Sequence, residues 1–491
     1  MIIKEMRNIN KYLTLGLTVS TLMFGACKKE FLEVSPTTAI NSKEAFSSPA
    51  HISAALTGLY DLTTNSAYTN SMLLTADVKG GDVLVVSGAG NYNRFVQGYQ
   101  FSESFTSTEP ANYWIQAYRV IQNANQFDVN IPTAPLTDAQ KTAYLAEARA
   151  LRAEAYFWLV RWYAKPYTVD PNALGVPIVL KPLGPDDVPP LRSKVSDVYA
   201  QIISDFQYAE ANLPATTAST NIYKFHKAAV QGYLARVYLT MGNNVEASKY
   251  AKLARAIKPL STGAALLTGF NSPTSEWIYG ISVRTDDNQG FLAVSSFYDP
   301  YDIGYSSFRV TTEFLNSFSN ADVRKQQFLV KSSPTANPST GQYRQRGEGW
   351  LINKFDFNST PANNQVLIRS SEMYLIEAEA EARQGVANEP AAKLALQAVQ
   401  ARAVPGTPLS LNTGQALIDE ILAERGKELY GEGHKYFDLL RTKTPIVRTS
   451  NDHWLKLNLP VGDNRLVYPI PQTELNANPG LKPQQNPGYA N

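Results

Sequence analysis

The chain has 491 residues, with 45 Lys and Arg against 43 Asp and Glu for a formal net charge of +2, and a single cysteine. One cysteine excludes an intramolecular disulfide, and a near-neutral balance without a polybasic run offers nothing to a nucleic acid. The length allows a large core, enough for two or three ordinary domains, and past the N-terminus no hydrophobic run reaches the ~20 residues that span a bilayer.

Lys4, Arg7 and Lys11 make a basic start, followed by an uncharged, mostly apolar run from Tyr12 to Ala26. That run is too short for a mature spanning helix and ends in two small residues, Gly25 and Ala26, which is the pattern of a secretory signal. A lone Cys after small residues is similar to a bacterial lipobox, with Phe24 where leucine is usual. Residues 1–26 are therefore expected to be a lipoprotein-type signal peptide and Cys27 the lipidated residue. Acyl chains contribute about 0.8 kcal/mol per buried methylene, so a multiply acylated Cys27 would hold the protein on a membrane surface.

Residues 77–110 are rich in Gly, Ser, Asn and Tyr, with one β-like run, VLVV. Helical periodicity follows. In 141–164, Leu145, Ala148, Leu151, Ala155, Trp158 and Leu159 recur at three- and four-residue spacing, and Asp138 is the predicted N-cap. KFHKAAVQGYLARVYLTMG runs through a Gly242-Asn243 turn into NNVEASKYAKLARAIK, with small residues alternating with tyrosines as in tetratricopeptide-type hairpins. Residues 259–369 are again irregular; Trp277, inside EWIYGI, is assigned to a β-like core strand. SSEMYLIEAEAEARQG then stops at Gly385, and Pro390 opens the next helix. Helical pairs near 111–164, 196–258, 370–403 and 413–441 are expected to stack into one superhelical scaffold, a mostly α fold with an irregular lobe near 77–110 and 259–369 carrying short β-strands. The Pro-rich C-terminus is expected to lie extended against the helices.

One cluster invites an enzymatic reading. ERGKELYGEGHKYFDLLR (424–441) puts Glu424, Glu428 and Glu432 on one helical face, with Arg425 in reach of Glu428 or of the next hairpin and Asp438 in reach of Arg441. Catalytic carboxylates need environments that push their pKa values apart. Here every acid has a cation nearby, and Gly431 and Gly433 break the helix so that the next can fold back. The cluster reads as architecture; a glycoside hydrolase using Glu428 and Asp438 is the alternative. No HExxH, paired CxxC or GxSxG is present, SGAGNYNRF lacks the third Gly and the helix of a phosphate loop, and Asp286, Asp287 and Asn288 lack the spacing of a calcium loop. No cofactor and no essential metal are expected.

Several motifs in order carry a resemblance to the SusD/RagB family of surface nutrient-binding lipoproteins of Bacteroidetes: Cys27 followed by FLEVSP, WIQAYRVIQNAN (114–125), EARALRAEAYFWLV (147–160), GVPIVL (175–180), MYLIEAEAEAR (373–383), AERGKELYGEGHKYFDLLR (423–441), YPIPQTEL and QNPGY. Ala164 stands where the family usually has Gly. The resemblance implies one SusD-like domain over 27–491, built on four tetratricopeptide-like hairpins with an irregular lobe carrying the ligand site. It also implies an outer-membrane, lipid-anchored protein facing outward, a SusC-like TonB-dependent transporter as partner, and an oligosaccharide or polysaccharide as cargo, without catalysis. Capture of a peptide or other nutrient by the same architecture, and a periplasmic helical-repeat adaptor, stay open as alternatives.

A glycan site needs exposed flat aromatics with hydrogen-bonding groups at their edges. Trp114, Trp158, Trp162 and Tyr233 sit at core spacing on helices and are expected to be packing residues. The loops offer Asp77, Asp82, Tyr92, Asn93 and Arg94; Tyr298, Asp299, Tyr301 and Tyr305; and Trp350. Of these, Asp82, Tyr92, Asn93, Arg94, Tyr298, Tyr301, Tyr305 and Trp350 are taken as the ligand-binding candidates.

Overall fold

Helix starts and stops in this chain are set by short polar and glycine signals, and the apolar faces between them decide what each helix packs on. The computed structural model describes residues 42–86, 92–215, 221–298, 300, 304–328, 333–336, 343–346, 349–355, 357 and 362–489. Helix α1 (Pro49–Thr64) starts on Ser48, whose Oγ accepts the His51 N–H, and buries Ile52, Leu56, Leu59 and Thr63 along one side. Helix α2 (Thr69–Lys79) buries every residue except Ser71.

The long helices α3 (Thr108–Asn130) and α4 (Asp138–Tyr163) make the first large pair. The N-cap of α4 is Thr137 rather than Asp138. Thr137 Oγ1 accepts the Gln140 N–H at 3.3 Å, and the Gln140 side chain accepts the Thr137 N–H at 3.0 Å. This reciprocal box satisfies two end groups and makes Asp138 the first helical residue, where its charge suits the helix dipole. Helices α5 (Val195–Asn212), α6 (Lys227–Met241) and α7 (Asn244–Arg255) extend the stack, each on the one before. Between α6 and α7, Gly242 takes φ 78° and Asn243 caps the next helix through its side chain, as the Gly-Asn pair predicts. Helix α8 (Ser370–Arg383) packs on α7 across the long irregular insertion, and α9 (Glu389–Ala403) and α10 (Gly414–Glu428) pack on α8. The short α11 (Lys435–Arg441) returns against α2. The expected stack of helical pairs is what forms.

The scaffold core is aromatic. Trp114, Trp158, Trp162 and Tyr233 are all buried, and full burial of a large apolar side chain contributes about 1.5–3 kcal/mol. Trp162 stacks on Tyr468, ring centroids 4.8 Å apart, and its carbonyl accepts the Tyr468 N–H, which ties the C-terminal segment to α4. That segment is not uniformly extended: Gln472–Ala477 is helical and Pro479–Gln484 forms 3₁₀ turns.

The described strands lie in two-stranded antiparallel pairs: β1 (Val83–Val85) with β3 (Phe308–Val310), β2 (Trp277–Ile281) with β6 (Gln365–Arg369), β4 (Ser333–Ala336) with β5 (Tyr343–Arg346), and β7 (Ile446–Arg448) with β8 (Leu457–Leu459). Trp277 is fully buried in β2, as expected. Helix α6 meets this pair at Gly232, where a Cβ would stand 2.6 Å from Ile368 Cγ2, so only glycine permits the approach. The β1–β3 pair and the short helix Val294–Tyr298 enclose a second core containing Phe95, Tyr99, Phe297, Tyr298, Phe308 and Phe314. This core is the floor of the irregular lobe.

Candidate functional site

Two groupings compete for a function, and their electrostatics separate them. In the first, the end of β6 carries Arg369 into the acidic cluster. Its guanidinium donates to Glu428 at 2.6 Å, to Glu432 at 2.7 Å and to Glu276 at 3.0 Å. Glu428 also meets Arg324 at 3.0 Å and Arg402 at 2.5 Å; Glu424 meets Arg324 at 2.6 Å; Glu432 meets Lys354 at 2.6 Å. Burial raises the pKa of Glu428, but Arg402, Arg369 and Arg324 outweigh it and hold the carboxyl well below its usual range; for Glu432, Arg369 and Lys354 likewise outweigh burial and lower the pKa. Both pKa values move the same way, so these two carboxylates do not make an acid and a base of differing role. Burial, and then Arg236 and Arg425, lower the pKa of His434, leaving it neutral.

The expected geometry needs one change. Glu432 is not on the helical face of Glu424 and Glu428, because α10 ends at Glu428 and a turn delivers Glu432. Of its two expected directions Arg425 takes the one away from Glu428, pairing with Asp438 on α11 at 2.8 Å, and Asp438 reaches Arg441 at 2.8 Å as spaced. The turn needs Gly433: its φ is 75°, and a Cβ there would stand 2.5 Å from Leu73 Cδ2 and 2.9 Å from the Leu73 backbone.

The second grouping lies on the irregular lobe. Tyr92 is 77% exposed and its ring meets that of Tyr305 edge-on, centroids 6.3 Å apart. Tyr305 rests on buried Phe297 at 5.1 Å and on Phe291, itself 55% exposed, at 5.8 Å. The Arg94 guanidinium stands over the Tyr305 ring, 5.2 Å from its centroid. Asn93 is exposed beside them. The base is rigid: the Tyr305 N–H donates to Ser296 Oγ at 2.9 Å, the Ser307 N–H donates to the Phe297 carbonyl at 2.8 Å, and Phe95 packs on Phe297 at 4.9 Å. Tyr92, Asn93 and Phe95 take left-handed φ values of 55°, 56° and 61°, and Ser306 takes 46°. Non-glycine residues in that region are costly and concentrate where function constrains the backbone.

The structure thus brings Tyr92, Asn93, Arg94 and Tyr305 together and leaves the other candidates elsewhere. Tyr298 is fully buried and its hydroxyl donates to Asp77 at 2.9 Å, so it is a core residue. Trp350 is 3% exposed and offers no face to a ligand. Asp82 lies at the opposite end of β1 from the aromatic group, 3.6 Å from Lys435 Nζ, in a different cleft. Cys27, Asp299 and Tyr301 lie outside the described residues. Phe291 was missed by sequence reasoning, although an aromatic directly after Gly290 and the polar run Asp286 to Gln289 carries the same compositional signal as the others. Trp454 was missed too; it is 46% exposed, stacks on Tyr99 at 4.8 Å and donates to the Val85 carbonyl at 2.8 Å.

Two family models match the chain: residues 30–239 match one described as "Starch-binding associating with outer membrane", and residues 346–489 match the "SusD family". A SusD-like protein P38 of Formosa agariphila is 25% identical, over 99% of this chain and 100% of its own. A SusD superfamily protein of Bacteroides thetaiotaomicron is 26% identical with a TM-score of 0.79, covering 90% of this chain and 100% of that one. A SusD-like carbohydrate binding protein of Bacteroides vulgatus is 26% identical with a TM-score of 0.75, covering 88% and 97%. Among the described residues no helix is long and apolar enough to cross a membrane.

Proposed function

This chain belongs to the SusD/RagB family, and from that premise we propose that it is a lipid-anchored outer-membrane protein that captures an oligosaccharide or polysaccharide and delivers it to a SusC-like TonB-dependent transporter. The observation that carries the glycan reading is the pair of exposed rings, Tyr92 and Phe291, set around Tyr305 on a rigid aromatic floor. Sugar rings stack their C–H faces on such surfaces, and Asn93 and Arg94 supply polar groups at the edge. Fixing these side chains before the ligand arrives lowers the entropy lost on binding. A role without catalysis is supported by the pairing of Glu428 and Asp438 with arginines. The anchor rests on Cys27 and its preceding small residues, and the transporter partner rests on the family.

Affinity electrophoresis of the full chain in detergent, through gels containing a panel of polysaccharides and a peptide panel, tests the reading. Retardation by a polysaccharide with no new reducing ends is expected. Turnover abolished by a single Glu or Asp substitution would make the protein a hydrolase, and binding confined to peptides would replace the glycan. Co-purification of a TonB-dependent barrel from solubilised membranes, and loss of the protein on protease shaving of intact cells, are the expected results for partner and sidedness.

A further inference from the structure

We infer that the glycan taken at the Tyr92–Tyr305 site is anionic, with Arg94 reading its carboxylate or sulfate groups; the inference rests on the glycan reading of that site. Buried arginines in this chain are mostly matched to acids, as Arg152 is to Asp205, Arg236 to Glu372 and Arg441 to Glu379. Arg94 is not. Among the described residues no carboxylate forms an ion pair with it, its Nε is buried with no hydrogen-bond partner, and its guanidinium stands over the Tyr305 ring. It also lines a small polar hollow with Ser66, Thr108, Glu109 and Asn112. Glu109 is the acid of that hollow; the Arg94 charge acts to lower its pKa but the two form no ion pair, and burial, the larger influence, leaves its carboxyl above the ordinary value, which weakens it as a countercharge. In the loop before Phe291, Asp286 is taken up by Arg284 at 2.6 Å.

A buried guanidinium N–H without an acceptor, such as that of Arg94 Nε, is costly until one arrives. A neutral hydroxyl supplies a lone pair, whereas a carboxylate or sulfate supplies charge and two oxygens that fit the guanidinium fork. Tyr305, whose ring carries the cation, also contacts both exposed rings, so the charge stands beside the surface on which a sugar would stack.

Calorimetric titration of the full chain in detergent against polygalacturonate and its carboxyl-reduced form, and against a sulfated galactan and its desulfated form, tests this and separates the two anion sources. At least one charged polymer is expected to bind tenfold or more tighter than its neutral counterpart, less so as salt rises. Arg94→Gln should bring that ratio close to one, and Arg94→Lys should keep part of it. Equal affinity for charged and neutral forms, or a preference that survives Arg94→Gln, overturns the inference while leaving the glycan reading intact. Failure of every polymer, charged and neutral, brings down the glycan reading itself. If Arg94→Gln does not fold by its melting curve, the wild-type ratio and its salt dependence decide between these outcomes.

Discussion

Arg369 and Glu432 meet through two charge-assisted hydrogen bonds, Nε to one carboxylate oxygen and Nη2 to the other, both at 2.7 Å and both buried. The contact joins the last residue of β6 to the turn between α10 and α11, so it fastens the irregular insertion to the scaffold at the foot of α8. Such a pair carries a desolvation cost for each ion, and its worth shows mainly when one partner is removed.

Glu432→Gln should therefore destabilise the fold strongly. It leaves Arg369 and Lys354 short of a countercharge in a buried site, and breaking a buried pair in this way costs about 3–5 kcal/mol. Denaturant unfolding measures the loss. Glycan affinity of the folded fraction should stay within a few fold, since the Glu432 partners Arg369 and Lys354 are not among the groups that meet the Tyr92 and Tyr305 rings. A variant of unchanged stability that no longer bound its ligand would move the cluster from scaffold to site.

The aromatic candidates should divide by burial. Tyr92→Ala and Tyr305→Ala should each weaken glycan binding by about 2 kcal/mol, roughly thirtyfold, the cost of truncating an aromatic at a contact centre. Tyr92→Ala should leave the melting temperature nearly unchanged because its ring is mostly in solvent. Trp350→Ala should instead cost about 3–5 kcal/mol of stability and spare binding in the folded fraction. Calorimetry beside a melting curve for each variant distinguishes the two behaviours.

That division marks how far the sequence could be read. The helical pairs were legible because a helix half against a core and half against solvent repeats every three or four residues, and because Gly242 and Gly385 stop helices at positive φ. Helix α2 escapes that logic: it is buried on all sides, so it carries no stripe. In the irregular lobe, burial depends on which distant strands pair. Tyr298 and Tyr305 stand seven residues apart in one loop-rich segment, yet the β1–β3 pairing and the Ser296 contacts bury the first and leave the second part-exposed. No local period encodes that outcome. Composition could point to Tyr92, Asn93, Arg94 and Tyr305 but could not exclude Tyr298 or Trp350.

Cys27→Ala should release the protein from the membrane. On the proposed anchor the lipid chains would supply the main membrane affinity, and no described helix is long and apolar enough to cross. Fractionation of cells lacking the proposed transporter partner, with radiolabelled palmitate to follow acylation, is the measurement. A variant that stays in the membrane pellet without label would show that something other than Cys27 holds it there.

Asp77 links the two halves of the protein, its carboxylate accepting the Gly433 N–H at 2.8 Å and the Tyr298 hydroxyl at 2.9 Å. Burial is the larger influence and lifts its pKa from 3.8 to about 7, against those two hydrogen bonds. Between these values the folded chain keeps a proton that the unfolded chain has released. The stability due to this group is therefore fully present below the unfolded pKa and is lost as pH rises through the folded one. Glu154, lifted to about 7, acts in the same direction. His226 and His453, both lowered to about 4, oppose it, as does His434, whose pKa is also lowered. The total pH profile mixes these terms, but they cancel in a difference between wild type and Asp77→Asn, which removes one titration and keeps a polar group facing Tyr298. Urea unfolding from about pH 4 to about pH 8 should give a wild-type-minus-variant stability that falls steadily up to about pH 7 and flattens beyond it. A difference independent of pH would mean that Asp77 ionises alike in the folded and unfolded chains, and that the buried link to Tyr298 costs nothing to charge.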